Sequence, residues 1–206
     1  ISSYKTALKL QPNNPQTHNN LGIALQEHGE ITAAIASHKK AIQLDANYPE
    51  AYNNLANALK KKGNLPNAIA LYKTALEITP NNPDFHNNLA TALQEQGKLT
   101  ASIDSYRTAL KLKPNNPVFH NNLGGALQDQ GDLIVAIESY RKALSLKPNY
   151  SQALNNLGTA LQEQGDLIAA ISTYKEALKL KPNNSDAFNN FGTALQEYGQ
   201  LTAAIA

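Results

Sequence analysis

Six adjacent asparagine pairs recur along this 206-residue chain: Asn19–Asn20, Asn53–Asn54, Asn87–Asn88, Asn121–Asn122, Asn155–Asn156 and Asn189–Asn190. Each pair follows the last by 34 residues. A primary amide presents two N–H donors and a carbonyl acceptor, the complement of a peptide group's own acceptor and donor. Amides at a fixed spacing can therefore hold an extended backbone without reading its side chains. Other polar positions keep the same spacing. Gln26, Gln94, Gln128, Gln162 and Gln196 form one row, interrupted by Lys60. Glu27, Glu95, Asp129, Glu163 and Glu197 form the next, interrupted by Lys61. The position of Asn57, Thr91 and Thr159 varies, with Ile23, Gly125 and Thr193 in the other repeats.

Other chemistries are less well supported by the spacing. His18, His86 and His120 recur at whole periods, as metal ligands could, but the same position is Tyr52, Leu154 or Phe188 elsewhere. A buried, aromatic-like histidine is the expectation there, with no metal and no cofactor. No Ser-His-Asp set or carboxylate pair stands apart from the repeat pattern, so no catalysis is expected. A basic ladder, Lys5, Lys39, Lys73, Arg107, Arg141 and Lys175, could meet phosphate. The acidic row beside the asparagines would repel it, which argues against nucleic acid. Lys60, Lys61 and Lys62 read as a solvated helix end complementing its dipole. The sequons at Asn149 and Asn183 read as accidental.

Composition is that of an ordinary soluble chain with enough apolar surface for a sizeable core. Hydrophobic residues make up 42% and the net charge is +2. Cysteine is absent, so disulfide and thiolate chemistry are excluded. Apolar runs such as Leu133–Ile137 are too short to cross a bilayer, so no membrane is expected and the cytoplasm is the expected location.

The period must be built from helices. In residues 83–116, Asn82 can cap a helix that opens at Pro83, with Asp84 at the dipole's positive end. His86, Leu89, Ala90 and Leu93 follow helical spacing on one arc, and Phe85, Ala92 and the far side of Leu89 make a second. Asn87, Asn88, Thr91, Gln94 and Glu95 share the remaining polar arc. Gly97 ends this helix. A second helix from about Leu99 places Ile103, Tyr106, Leu110 and Leu112 inward and stops at Pro114. Where serine replaces the opening proline, at Ser151 and Ser185, it is expected to cap. Two apolar arcs mean two neighbours, so the expected fold is an all-α, right-handed superhelical solenoid of antiparallel helix pairs. Its repeats span 15–48, 49–82, 83–116, 117–150 and 151–184. Residues 1–14 form the second helix of a truncated repeat, and 185–206 form an incomplete last one.

His86, Leu89, Ala90, Ser102, Tyr106, Ala109 and Pro114 resemble the tetratricopeptide repeat, whose pattern is an aromatic, Leu-Gly/Ala, Ala, aromatic, Ala and Pro. Ser102 for alanine, Leu93 for an aromatic and the three histidines are departures that leave the packing intact. The resemblance implies a concave groove, formed by the first helices, in which extended peptides bind. Asparagine at Asn88 and its equivalents is similar to the repeat arm of O-linked N-acetylglucosamine transferases, as is the stretch from Ser105 to Pro114. That implies a backbone-reading groove, and leaves open a substrate-recruiting arm of a larger enzyme. It does not imply sugar transfer.

What the asparagines do is left open at this stage. Each costs a helix about 0.6 kcal/mol relative to Ala, so the twelve cost roughly 7 kcal/mol, comparable to a domain's net stability. They could grip a peptide, tie neighbouring repeats together, or have been copied by duplication. On propensity alone, Ala at Asn54, Asn88, Asn122 and Asn156 should hold or raise stability. The chain also opens and closes inside a repeat, so it is expected to be part of a longer protein. Its two ends are complementary, which suggests weak head-to-tail self-association.

Overall fold

The computed structural model describes residues 1–205, with side chains through residue 201. Every regular element among the described residues is helical. The chain divides into two compact segments. The first, Ile1–Leu112, holds α1 (Ser2–Leu10), α2 (Pro15–Glu27), α3 (Ile31–Leu44), α4 (Pro49–Lys61), α5 (Leu65–Ile78), α6 (Pro83–Glu95) and α7 (Leu99–Leu112). The second, from Lys113, holds α8 (Pro117–Gln130), α9 (Leu133–Leu146), α10 (Ser151–Gln164), α11 (Leu167–Leu180) and α12 (Ser185–Ile205).

Local chemistry sets the helix ends. Asn14, Asn82 and Asn116 accept hydrogen bonds from backbone N–H groups in the first turn, with proline opening each helix behind them. Asn64, Asp132 and Asp166 cap α5, α9 and α11 in the same way. Between the two helices of a pair, Gly97 and its equivalents adopt φ values between +78° and +91°, a left-handed turn that side chains resist. Such short links return the second helix antiparallel to the first.

Within each segment, a first helix packs most closely on the second helix of its own pair, then on the second helix of the pair before it. Successive first helices also touch within each segment, α2 with α4, α4 with α6, α8 with α10 and α10 with α12. The inner sides of α5, α7, α9 and α11 are nearly dry: Tyr72, Tyr106, Tyr140 and Tyr174 are at most 1% exposed. In the first segment Tyr72 joins Ala56, Ala68, Ile69, Leu89 and Leu93 in one apolar cluster. Ser102 fits this dry place because its hydroxyl donates to the Ala90 carbonyl, 2.8 Å away.

Four details depart from the sequence reading. Tyr150, not Ser151, occupies the cap of α10, and the Ser151 hydroxyl donates instead to the Ala177 carbonyl. At α12 the capping side chain is that of Asn184, which accepts from the Ala187 N–H, so Ser185 is simply the first helical residue. Leu112, expected inward, is 38% exposed at the last position of α7. Finally, α12 runs unbroken through Gly199, which does not take the left-handed turn of its equivalents.

Candidate functional site

The two asparagines of a pair have different jobs. Asn19, Asn53, Asn121 and Asn155 are buried, at 3–8% exposure, beneath the polar face of the first helices. Asn87 is half-buried and Asn189 is exposed. The second asparagine, Asn20, Asn54, Asn88, Asn122, Asn156 or Asn190, is half-buried in each repeat. At Asn54, Asn88, Asn156 and Asn190 the amide reaches back one repeat. Asn54 Nδ2 donates to Asn19 Oδ1 at 3.2 Å, and Asn88 Nδ2 to Asn53 Oδ1 at 3.0 Å. In the second segment Asn156 donates to Asn121 at 3.1 Å and Asn190 to Asn155 at 3.2 Å. Within each segment the asparagines thus form a side-chain ladder between repeats, joining residues 35 apart.

A second ladder runs beside it. Tyr140 donates its hydroxyl to Gln128 Oε1 at 2.9 Å, and Gln128 Nε2 donates to Glu163 Oε1 at 2.8 Å. Tyr174, Gln162 and Glu197 repeat the arrangement at 3.0 and 2.9 Å. In the first segment Lys60 stands in the glutamine row and binds Glu95 Oε1 at 2.7 Å. It is therefore a rung of this ladder, not a solvated helix end. Its Nζ is long enough to cross to the next helix, as a glutamine amide does. Burial pushes the Tyr72 and Tyr140 hydroxyls far above their ordinary value, with nearby carboxylates adding to the effect, so both remain donors.

The variable position completes the face. Asn57 Oδ1 accepts from the Tyr72 hydroxyl at 2.5 Å. Thr91 meets the Tyr106 hydroxyl at 2.9 Å, and Thr159 accepts from Tyr174 at 3.2 Å. Two hollows open along this face. One of about 190 Å³ lies among Ile23, Gln26, Glu27, Asn54 and Lys61. The other, about 290 Å³, is lined by Thr159, Gln162, Glu163, Tyr174, Asn190, Thr193 and Glu197. Each is bordered by first helices of consecutive repeats and includes a second asparagine.

The recurring histidines are half-buried rather than buried. His18, His86 and His120 bond through Nε2 to the carbonyls of Pro12, Pro80 and Pro114 at 2.8–2.9 Å. Each ties the start of a first helix to the proline ahead of it, a role that needs a ring N–H and so favours histidine over phenylalanine. No cluster of potential metal ligands occurs among the described residues.

His38 is the functional-looking residue that the periodicity alone did not single out. It occupies the position of the four buried tyrosines and is fully buried. Its Nδ1 donates to Asn19 Oδ1 at 2.9 Å, while Nε2 has no partner. Desolvation pushes its pKa down to about 4. The signal was present in the sequence as the one break in a row of tyrosines.

Comparison with known proteins places this geometry in context. Sequence models described as "TPR repeat" match residues 1–29, 26–63, 56–97 and 91–131. Models described as "Tetratricopeptide repeat" match 117–183 and 173–206. No curated protein matches the sequence significantly. Among solved structures, YrrB, described as a TPR protein with an unusual peptide-binding site, is similar with a TM-score of 0.68 at 20% identity, covering 90% of this chain and 96% of its own. TTC0263, a thermophilic TPR protein of Thermus thermophilus, is similar with a TM-score of 0.72 at 23% identity, covering 88% and 99%. PilF of Pseudomonas aeruginosa gives 0.77 at 18% identity, with 91% of each chain covered. At these identities the likeness concerns the fold.

Proposed function

Because the chain belongs to the tetratricopeptide repeat family, we propose that it is a non-catalytic scaffold that holds an extended polypeptide along the asparagine face, mainly by the backbone. The family fold supports a protein partner in general terms, and among the described residues no helix is long and apolar enough to cross a membrane. The finer reading rests on one observation. Asn54, Asn88 and Asn156 each use one N–H to reach the preceding repeat and remain half-buried at the face. A primary amide has a second N–H and a carbonyl with two lone pairs, so each can still serve a peptide group. The rung bond also holds the amide in one orientation, which lowers the ordering cost of binding.

The charge distribution supports a polypeptide over a nucleic acid. Lys39, Lys73, Arg107, Arg141 and Lys175 are exposed on second helices, whereas the acidic row lies beside the asparagines. Phosphate would meet repulsion on the face that carries the amides.

The test leaves the protein unaltered. Peptides selected from a display library on this chain are resynthesised with alternate backbone nitrogens methylated. We expect affinity to fall tenfold or more, because N-methylation removes donors and keeps side chains. Unchanged affinity after methylation would show that the groove reads side chains instead, and steep loss of binding with modest salt would favour a charge-driven partner.

A further inference from the structure

The glutamine rung between α2 and α4 is built differently from those of the second segment. There, Gln128 accepts from Tyr140 and donates to Glu163, 35 residues on. Gln162 repeats this with Tyr174 and Glu197. For Gln26 both partners are changed. The tyrosine position holds His38, which has no hydroxyl to give and whose Nδ1 donates to Asn19. The carboxylate position, 35 residues on, holds Lys61, and an ammonium has no acceptor. Gln26 thus has neither of the row's usual bonds, and with Lys61 it borders the hollow of about 190 Å³ between α2 and α4.

The chemistry of that hollow is changed as well. In the second segment the hydroxyls of Thr159, Tyr174 and Thr193 line the equivalent space. Here Ile23 stands at the position of Thr159, and the His38 ring is too short to join the lining. The charges around it are the Glu27 carboxylate and the Lys61 ammonium. Neither an anion nor a cation gains on balance from entering between them, and either would lose hydration. The volume is also below the roughly 300 Å³ at which small-molecule pockets begin, and suits a single side chain.

We infer that this hollow takes one aliphatic side chain, of leucine or isoleucine size, from the polypeptide on the asparagine face, and that Ile23 determines the preference. This rests on the reading of the face as a peptide groove, and adds to it one point at which a side chain is read. The broken rung supplies the rest of the seat. Asn54 spends one N–H on Asn19 and keeps the other, and the Gln26 amide and Lys61 ammonium stand free of the ladder at the rim. They donate to the carbonyls on either side of the anchored residue, while its side chain displaces water over Ile23. A ladder of equal rungs would let an extended chain slip by a whole repeat. One rung unlike the rest fixes where the chain sits.

Peptides selected from a display library on the parent test this when their affinities are measured against the parent and Ile23→Thr. The variant carries the residue found at this position in Thr91 and Thr159. The parent's binders are expected to share one aliphatic residue, whose replacement by alanine weakens binding to the parent about tenfold or more. Against Ile23→Thr most of that penalty should vanish. A diazirine analogue of leucine at the shared position should crosslink the parent on α2 or α4, a readout that needs no variant. Binders without a shared aliphatic residue overturn the inference. So does an alanine penalty that Ile23→Thr leaves in full, or a crosslink that maps to other helices. Peptides that tolerate backbone methylation yet keep the coupling to Ile23 would retain the seat and remove backbone reading. Peptides abolished by methylation but sharing no aliphatic residue would do the reverse, and a library that yields no binder overturns both.

Discussion

Asn88 donates its side-chain amide to Oδ1 of Asn53, 3.0 Å away and one repeat earlier in the chain. Asn53 is 7% exposed, so its oxygen has lost most of its access to water and depends on that bond. The propensity argument for replacing Asn88 by Ala is thereby outweighed. Ala gains about 0.6 kcal/mol in the helix, but an orphaned buried acceptor costs about 1–3 kcal/mol. Asn88→Ala is expected to lower the melting temperature. Asn53→Ala with Asn88→Ala removes both partners and should recover part of the loss. The coupling in a double-mutant cycle, measured by urea unfolding, is expected between about 0.5 and 3 kcal/mol. Zero coupling would mean the bond adds nothing to stability.

The same glycine position should respond with opposite signs in two repeats. At Gly124 a side chain meets the Tyr140 ring, so Gly124→Leu overpacks the pair and should cost about 1–3 kcal/mol. At Gly192 there is open space within a helix, so Gly192→Ala should stabilise by up to about 1 kcal/mol. Thermal melts of the two variants against the parent, at low concentration, decide it. Equal shifts would contradict the packing described.

Acid should weaken the first repeat through His38. Its folded pKa, near 4, lies below the unfolded value of 6.5, so the folded state keeps it neutral while the unfolded chain takes up a proton. The unfolded state therefore binds more protons as pH falls from about 6.5 towards 4. Stability is highest above that window and is lost through it, by up to about 3 kcal/mol for a shift of this size. His38→Tyr restores the residue found at this position in the other repeats, above a glycine that suits it. It should flatten the pH dependence of the melting temperature between 4 and 6.5. An unchanged slope would place the acid sensitivity elsewhere.

Lys60→Gln should be nearly silent at moderate salt. The lysine ammonium and a glutamine amide can both donate to Glu95, and a partly exposed ion pair contributes about 0–1 kcal/mol. The parent should lose a little stability as salt rises, and the variant should not. If Lys60→Gln costs several kcal/mol, the lysine does more than replace a rung.

Features set within one helix or one turn were legible from residue order. Gly97 turns because left-handed φ suits glycine, Asn82 caps because its short amide reaches the first-turn N–H groups, and Tyr106 and Ala109 lie inward because they share an arc. Projection around one helix could not separate Asn87 from Asn88 in role, since both fall on the polar arc. Tertiary structure decided that the first asparagine of most pairs is buried and that the second reaches back to it. The partner of Asn88 depends on how far the neighbouring helix is displaced along its axis, and a wheel records angle without displacement. That displacement makes the pairing 35 residues rather than 34, and it also turns Lys60 towards Glu95. Neither bond can be read from residue order, because each joins side chains of two helices that meet only once the repeats are packed.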